Sequence, residues 1–234
     1  MLRVIAIDGP AASGKSSTAA LVARALGWAH LDSGALYRAV TLATIDRYGE
    51  GGRGKEEGWS AQRILALAEE LPVRLVLVAD VYRPEVAGVD VATEIRSDRV
   101  TARVSEVAAI PEIRRWVNAR QREAVQAHPS GVVVDGRDIG TVVFPDAPLK
   151  VYLTATALER ARRRLAQRGE GTDVDDELVD RESQALAARD EADSRRPVAP
   201  LRAAADAVSL DTTRLSLNEQ VHHVVALARD RFPD

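Results

Sequence analysis

The sequence contains no cysteine, which excludes disulfide bonds and thiolate chemistry and suits a reducing compartment. It also lacks any apolar run approaching the roughly 18 residues that a membrane-spanning helix needs. The net charge of −3 gives no electrostatic reason to expect binding to nucleic acid. We therefore expect a cytoplasmic protein whose partners include neither a membrane nor a nucleic acid.

Lysine is also scarce, since Lys15, Lys55 and Lys150 are the only three among 32 basic residues. Arginine supplies almost all of the remaining positive charge, and compositional bias explains most of it. A guanidinium group can nevertheless bind a phosphate through two parallel hydrogen bonds. Some of the arginines are therefore candidates for a phosphate-binding site.

One stretch near the N-terminus has the pattern of a phosphate-binding loop. Gly9, Gly14, Lys15 and Ser16 occupy every fixed position of G-x-x-x-x-G-K-[ST], between an apolar run and a segment of helical periodicity. Glycines let the backbone approach a phosphate closely, and the N-terminus of the following helix attracts the anion. Lys15 adds positive charge at the phosphates, and the Ser16 hydroxyl is a candidate Mg²⁺ ligand. The predicted ATP-binding residues are Gly9, Pro10, Ala11, Ala12, Ser13, Gly14, Lys15, Ser16 and Ser17.

Apolar segments alternate with helical segments along the chain, which predicts an α/β fold. Buried strands are expected near residues 4–8, 28–31, 131–135, 149–153 and 207–210. They predict a P-loop NTPase fold with a five-stranded parallel sheet and helices on both faces. Short β-branched segments between about residues 72 and 92 predict a small antiparallel insert outside this core, with Pro84 on an edge strand.

Polar residues follow two of the predicted strands, at the sheet edge where open α/β folds bind ligands. Asp32 and Ser33, with Tyr37-Arg38 one turn later, follow the second strand. Asp32 alone is explained equally well as the cap of the next helix. Arg137-Asp138 follows the strand over 131–135, where such folds place acidic groups near the metal and substrate. The alternative for Arg137-Asp138 is a charge pair that satisfies only itself.

Arginines are concentrated again in two helical segments on either side of Gly169 and Gly171. The first segment carries Arg160 and Arg164, and the second runs over residues 181–196 and ends before a proline. Helices that flank a glycine hinge and bear arginines inward predict a closing lid. The alternative is a pair of solvated, charged helices.

A phosphate-binding loop does not by itself distinguish kinases from GTPases, motors and transport ATPases. No N-K-x-D guanine motif follows a predicted strand. The arginines after the loop suit phosphoryl transfer between two anions, whose charge must be neutralised. A phosphate acceptor with a second pKa of about 6 is already nucleophilic at neutral pH and needs no general base. Two alternatives remain: a kinase for UMP or another small acceptor, and a nucleotide-switch or motor module.

The chain resembles the bacterial cytidylate kinases, a branch of the nucleoside monophosphate kinases, essentially from end to end. The segments over 135–145 and 31–38 are together highly specific for that family. The remaining matches are the phosphate-binding loop, residues 107–111 and residues 189–201. The sequence departs from the family at Ala12, where many members have glycine. It departs also at Ala192, where a lid arginine is often present and Arg195 is the nearest substitute.

The resemblance implies a single P-loop kinase domain over residues 1–234 that phosphorylates CMP and dCMP with ATP and Mg²⁺. It implies a monophosphate-binding region over 37–110 that contains the β insert, and a lid over 165–197. A monomer is expected, with small-molecule substrates as its only partners. The implied contacts are Ser33, Arg114 and Asp138 to the cytosine; Ser105, Arg189 and Asp193 near the sugar; Tyr37, Arg38, Arg137 and Arg196 around the acceptor phosphate; and Arg160 and Arg164 at the triphosphate, with Asp32 beside the acceptor. Lys15, Arg137, Arg160, Arg164 and Arg196 are the implied catalytic residues.

Overall fold

A computed structural model describes residues 3–50, 59–170 and 175–233. The chain divides into two compact units. Unit one comprises residues 1–28 and 131–234, and unit two comprises residues 29–130. The monophosphate-binding region predicted over 37–110 falls within unit two. The predicted lid over 165–197 falls within unit one, where residues 171–174, including Gly171 of the expected hinge, lie outside the described residues.

The described residues form eight strands and eight α-helices. In chain order they are β1 (Val4–Asp8), α1 (Lys15–Leu26), β2 (Ala29–Asp32), α2 (Ser33–Tyr48), α3 (Ala61–Glu70), β3 (Val73–Val78), β4 (Val81–Val86), β5 (Val89–Asp90), α4 (Asp98–Ala108), α5 (Pro111–Gln126), β6 (Val132–Gly136), β7 (Leu149–Thr154), α6 (Ala157–Gln167), α7 (Asp176–Ser194), β8 (Val208–Asp211) and α8 (Leu217–Arg231). A 3₁₀ turn over Glu94–Arg96 and a π-helical turn over Ile139–Val143 complete the set.

The sheet of unit one contains four strands in the order β6-β1-β7-β8, and every pairing is parallel. Each residue of β1 is buried, which explains why its sequence is apolar up to its last residue, Asp8. Helices α1 and α8 pack together and contribute to one hydrophobic core with β1, β6 and β7. Ser216 and Glu219 form a reciprocal capping box that begins α8.

Unit two contains β2, β3, β4 and β5 and has its own hydrophobic core, built largely from α2, α4 and α5. Strands β3, β4 and β5 pair antiparallel, as the sequence predicts. The expectation that this insert stands outside the parallel sheet is wrong, because β4 pairs parallel to β2 through His30 and Val81.

Pro84 lies in the middle of β4, which has β3 on one side and β2 and β5 on the other. The prediction of an edge strand is therefore wrong. Pro84 stands between the β2 pairing at Val81 and the β5 pairing that begins at Glu85. Its carbonyl oxygen still accepts from the N–H of Val91 at 3.0 Å, so the ladder lacks only the donor that a proline cannot provide.

The five strands of the predicted core are all present, and the α/β class with mainly parallel pairing is confirmed. The helical periodicity of residues 93–109 predicts one helix, but Ser97, whose ψ of 157° is extended, divides this stretch into a 3₁₀ turn and α4. Within residues 3–50, 59–170 and 175–233, no helix is long and apolar enough to cross a membrane.

Candidate active site

The loop between β1 and α1 closes around two glycines that no other residue could replace without strain. A Cβ at Gly9 would lie 2.3 Å from the carbonyl oxygen of Leu153, so the loop packs directly on the end of β7. Gly14 has a φ of +90°, in the left-handed region. Ala12, the departure from the family pattern, also adopts a positive φ of 57°. A glycine would adopt this φ with less strain, so Ala12 restricts the backbone conformations that the loop can adopt.

The N-terminus of α1 is arranged as an anion site. Gly14 is its cap residue and provides no side-chain acceptor for the first N–H groups of the helix. The Oγ of Ser13 is buried and has no hydrogen-bond partner among the described residues. Lys15 extends back across the loop, and its Nζ donates to the carbonyl oxygen of Pro10 at 3.0 Å. The N–H groups at a helix N-terminus together with a lysine fit the oxygens of a phosphate chain.

Ser16 reaches the end of the neighbouring strand β6. Its hydroxyl donates to Oδ2 of Asp135 at 2.5 Å, and Asp135 is 1% exposed. A hydroxyl and a carboxylate in contact provide two of the oxygen ligands that Mg²⁺ prefers. Sequence reasoning named Ser16 but not Asp135 as a metal ligand, because Asp135 reads as the last residue of an apolar strand.

The loop after β6 is held by Asp8 of β1. The two carboxylate oxygens of Asp8 accept hydrogen bonds from the backbone N–H groups of Ile139 and Gly140 at 2.8 and 2.7 Å. The pKa of Asp8 is raised to about 6, because the effect of burial exceeds the lowering by the Gly140 and Ile139 N–H groups. The carboxylate of Asp138 raises it further, and Lys15 lowers it. Asp138, the predicted base reader, is itself 5% exposed.

Two arginines tie the phosphate-binding loop to helix α7. Arg137 donates to the carbonyl oxygen of Gly9 at 2.7 Å and to the carboxylate of Asp193 at 2.8 Å. Arg160 donates to the carbonyl oxygen of Ala11 at 3.1 Å and forms an ion pair with Asp190.

Asp190 and Asp193 lie one helical turn apart, so each arginine joins a loop carbonyl to one carboxylate of α7. Asp190 in addition accepts from the N–H of Ala11 at 3.0 Å. Nothing in the sequence pattern singles out Asp190 from its acidic neighbours, and sequence reasoning missed it.

Three further predicted arginines belong to the same unit. Burial lowers the pKa of Arg189, and the positive charges of Arg137 and Arg164 lower it further, against the raising effect of Asp193. The Nε of Arg189 is buried without a hydrogen-bond partner in the described part of the chain. Arg196 donates from Nε to the backbone oxygen of Asp193 at 3.2 Å. Buried cations that repel one another are a site for an anion.

Arg195 does not take the place of the arginine that is often present in the family at the position of Ala192. Its side chain is 79% exposed and pairs with Glu191 one turn earlier on α7. It therefore points into solvent rather than toward Arg137 and Arg189. The suggested substitution by Arg195 is wrong for this arrangement of α7.

The predicted acceptor residues other than Arg137, Asp138, Arg189, Asp193 and Arg196 lie in unit two. Asp32 accepts from the N–H of Gly34 as the cap of α2 and also pairs with Arg96 at 3.1 Å. The alternative that Asp32 caps the next helix is therefore confirmed, and Asp32 forms an ion pair in addition. Ser33 is buried at the start of α2, and Ser105 is half-buried on α4.

Three more acceptor candidates make internal contacts in unit two. Tyr37 donates its hydroxyl to Asn118 at 3.3 Å, and the guanidinium of Arg114 stacks 5.4 Å from the Tyr37 ring centroid. Arg114 is 3% exposed and donates to the carbonyl oxygen of Ala108. Arg38 donates to the backbone of Ile95 and to the hydroxyl of Thr101.

The strand–loop–helix unit, the Ser16–Asp135 pair and the parallel sheet define this protein as a P-loop kinase. Residues 5–230 match the sequence model of the family described as Cytidylate kinase. The chain belongs to the cytidylate kinase family.

Several relatives are similar over nearly their whole length. The cytidylate kinase of Azotobacter vinelandii (strain DJ / ATCC BAA-1303) is 44% identical over 97% of this chain and 96% of its own. That of Pseudomonas putida (strain W619) is 45% identical over 94% and 93%. That of Mycolicibacterium paratuberculosis (strain ATCC BAA-968 / K-10) is 43% identical over 97% and 96%. Among solved structures, a gluconokinase from Sinorhizobium meliloti 1021 aligns at a TM-score of 0.48 and 18% identity, over 98% of this chain and 94% of that one.

Proposed function

We propose that this enzyme transfers the γ-phosphoryl group of ATP to the phosphate of CMP and of dCMP, giving ADP and CDP or dCDP. The observation that carries the proposal is the set of arginines around the phosphate-binding loop in unit one. Arg137 and Arg160 contact its carbonyl groups, and Arg189 keeps a buried, unused Nε near Arg137 and Arg164. Such a collection of positive charge suits two phosphate groups that must approach one another.

On the donor side, the loop over residues 9–17 and the N-terminus of α1 bind the triphosphate, and Lys15 neutralises its charge. The Ser16–Asp135 pair fits Mg²⁺, and the hydroxyl oxygen of Ser16 and the carboxylate of Asp135 would be two of its oxygen ligands. When bound, the metal screens the charge of the phosphate oxygens and makes the γ-phosphorus a better electrophile. Arg160 and Arg164 neutralise the charge that spreads over the transferred group.

On the acceptor side, Arg38, Arg137 and Arg196 hold the acceptor phosphate, with Tyr37 beside it. Its oxygen is already ionised at neutral pH, so it attacks the γ-phosphorus without a general base. Ser33, Arg114 and Asp138 read the cytosine, Ser105, Arg189 and Asp193 lie near the sugar, and Asp32 orients the start of α2. The Asp138 carboxylate accepts from the 4-amino group of cytosine, whereas the 4-oxygen of uracil would repel it.

The same proposal assigns residues 37–110 to acceptor binding and residues 165–197 to a lid that excludes water from the phosphoryl group. It also assigns a monomer in the cytoplasm that acts on small molecules alone. Sedimentation or light scattering of the purified chain checks the monomer, since a stable dimer at micromolar concentration contradicts it.

The test of the proposed function is turnover with ATP and each of CMP, dCMP, UMP and AMP under one set of conditions. We expect kcat/KM for CMP and dCMP to exceed that for UMP and AMP by at least about tenfold. Equal rates with UMP would remove the cytosine assignment. Slow ATP hydrolysis that no acceptor accelerates would contradict the kinase function and favour a nucleotide switch.

A further inference from the structure

Asp8 is the last residue of β1 and belongs to none of the groups assigned above. It stands in register with Gly136 of β6, directly before the phosphate-binding loop begins at Gly9. Its side chain is 5% exposed, and both of its carboxylate oxygens are used within unit one. One accepts from the N–H of Ile139 and the other from the N–H of Gly140.

These two N–H groups are the first after Asp138, the residue proposed to read the base. On its other side, the carbonyl oxygen of Asp138 accepts from the N–H groups of Val142 and Val143 at 2.9 and 3.2 Å. The turn over Ile139–Val143 is π-helical and starts with no side-chain cap from Asp138. The conformation of this turn therefore depends on the carboxylate of Asp8 as its external acceptor.

The arrangement is costly for the fold. Desolvation raises the pKa of Asp8 to about 6, and the neighbouring Asp138 carboxylate acts in the same direction. At neutral pH the group is nevertheless mostly ionised, and an ion in this position is stabilised by the N–H groups that it holds. If only packing were required here, an uncharged side chain with an acceptor oxygen could bind an N–H group with a smaller desolvation cost.

We infer that Asp8 is a specificity-determining positioning residue: by clamping the N–H groups of Ile139 and Gly140 it fixes the direction of the Asp138 carboxylate. This inference rests on the proposed function, because it assigns to Asp8 the support of the base reading that the proposal gives to Asp138. It places that support on β1, one residue before the loop that binds ATP. The strand that presents the donor site thus also sets which acceptor base is chosen.

The test compares kcat/KM for CMP with kcat/KM for UMP in the natural protein, in Asp8→Asn, in Asp138→Asn and in the double variant. Asparagine keeps the size of Asp8 but leaves only one acceptor oxygen for two N–H groups. We expect the CMP-to-UMP ratio to fall roughly tenfold in each single variant, and no further in the double variant, because both act through one carboxylate. The KM for ATP is expected to change less than twofold.

Asp211→Asn is the matched control. Asp211 ends the parallel strand β8 as Asp8 ends β1, and it also accepts from a backbone N–H group, that of Thr213 at 2.9 Å. Its replacement is expected to leave the CMP-to-UMP ratio unchanged. Thermal unfolding of each variant separates a loss of fold from a loss of selectivity, since a purely structural role would lower stability and total activity but not the ratio.

The outcomes distinguish a failure of the base reading by Asp138 from a failure of the positioning role of Asp8. An unchanged ratio in Asp138→Asn contradicts the base reading in the proposed function. A lowered ratio in Asp138→Asn together with an unchanged ratio in Asp8→Asn overturns the inference about Asp8. If Asp8→Asn does not fold, Asp8→Glu replaces it, because the longer carboxylate keeps both acceptors but shifts the turn; a ratio that stays at the natural value in that variant also overturns the inference.

Discussion

The two units differ in how their candidate residues are held. In unit one the functional side chains contact one another across long stretches of sequence, as Ser16 does with Asp135 and Arg137 with Asp193. In unit two the candidate residues are bonded to the framework of their own unit. Arg38 holds the backbone of Ile95, and Arg114 holds that of Ala108.

This difference shows which part of the function the geometry itself supports. Unit one brings several arginines and Lys15 beside the phosphate-binding loop and the N-terminus of α1, and this combination suits phosphate. Unit two presents arginines that already stabilise helices, so their role toward an acceptor comes from the family resemblance. Mutations in unit two therefore test whether its arginines bind the acceptor at all.

Lys15→Ala should produce the largest loss and confine it to the donor side. Without the ammonium group the phosphates lose a charge placed at the loop, and we expect kcat to fall roughly 10²–10³-fold. Steady-state rates at saturating CMP measure the effect. Arg181→Ala serves as the control, because Arg181 is 70% exposed and pairs with Glu177 on the same helix. Activity within about twofold of the natural enzyme would remove Lys15 from phosphate binding.

Arg38→Ala should sharpen the comparison from the side of unit two. If Arg38 also binds the acceptor phosphate, KM for CMP is expected to rise about tenfold while KM for ATP stays nearly constant. Initial rates over a matrix of both substrate concentrations give the two constants. Arg99→Ala is the matched control, since Arg99 is exposed and pairs with Asp46 in the same unit. Equal changes in both KM values would show that Arg38 stabilises the fold of unit two and does not bind the acceptor phosphate.

Asp190→Asn should give the smallest effect. The amide oxygen can still accept from Ala11, but the ion pair that orients Arg160 is lost. We expect kcat to fall about two- to tenfold with KM for CMP unchanged, because a single buried pair orients one arginine. Glu191→Gln on the exposed side of α7 is the control. A rise in KM for CMP as large as the fall in kcat would mean that α7 acts mainly on the acceptor.

The sequence predicted most of the architecture because its signals are local. Four fixed positions and an apolar run are enough to identify β1, the loop and α1, and alternating segments identify the other core strands. The β2–β4 pairing could not be predicted, since nothing in residues 81–86 distinguishes an added parallel partner from a separate hairpin. The error about Pro84 follows from the same missing information.

Within the candidate site, the sequence identified side chains by type but not by partner. Arginines and glycines were recognisable, whereas Asp8, Asp135 and Asp190 were not. Asp8 is the last residue of the apolar strand β1, Asp135 is the last but one of β6, and Asp190 is one of several acidic residues on α7. Only the register of β1 with β6, and the face of α7 turned to the loop, show which carboxylates matter.

The contact between Trp28 and Gly131 has a consequence for how such a chain can change. A Cβ at Gly131 would lie 2.1 Å from the indole of Trp28, so the last residue before unit two and the first residue after it touch inside unit one. The chain thus leaves unit one at Trp28 and returns to it at Gly131, and these two residues are already in contact through the indole ring. Segments of other lengths can be spliced there without stretching the host, because the ends of the splice already meet. Unit one can in this way accept inserted segments of different length between Trp28 and Gly131.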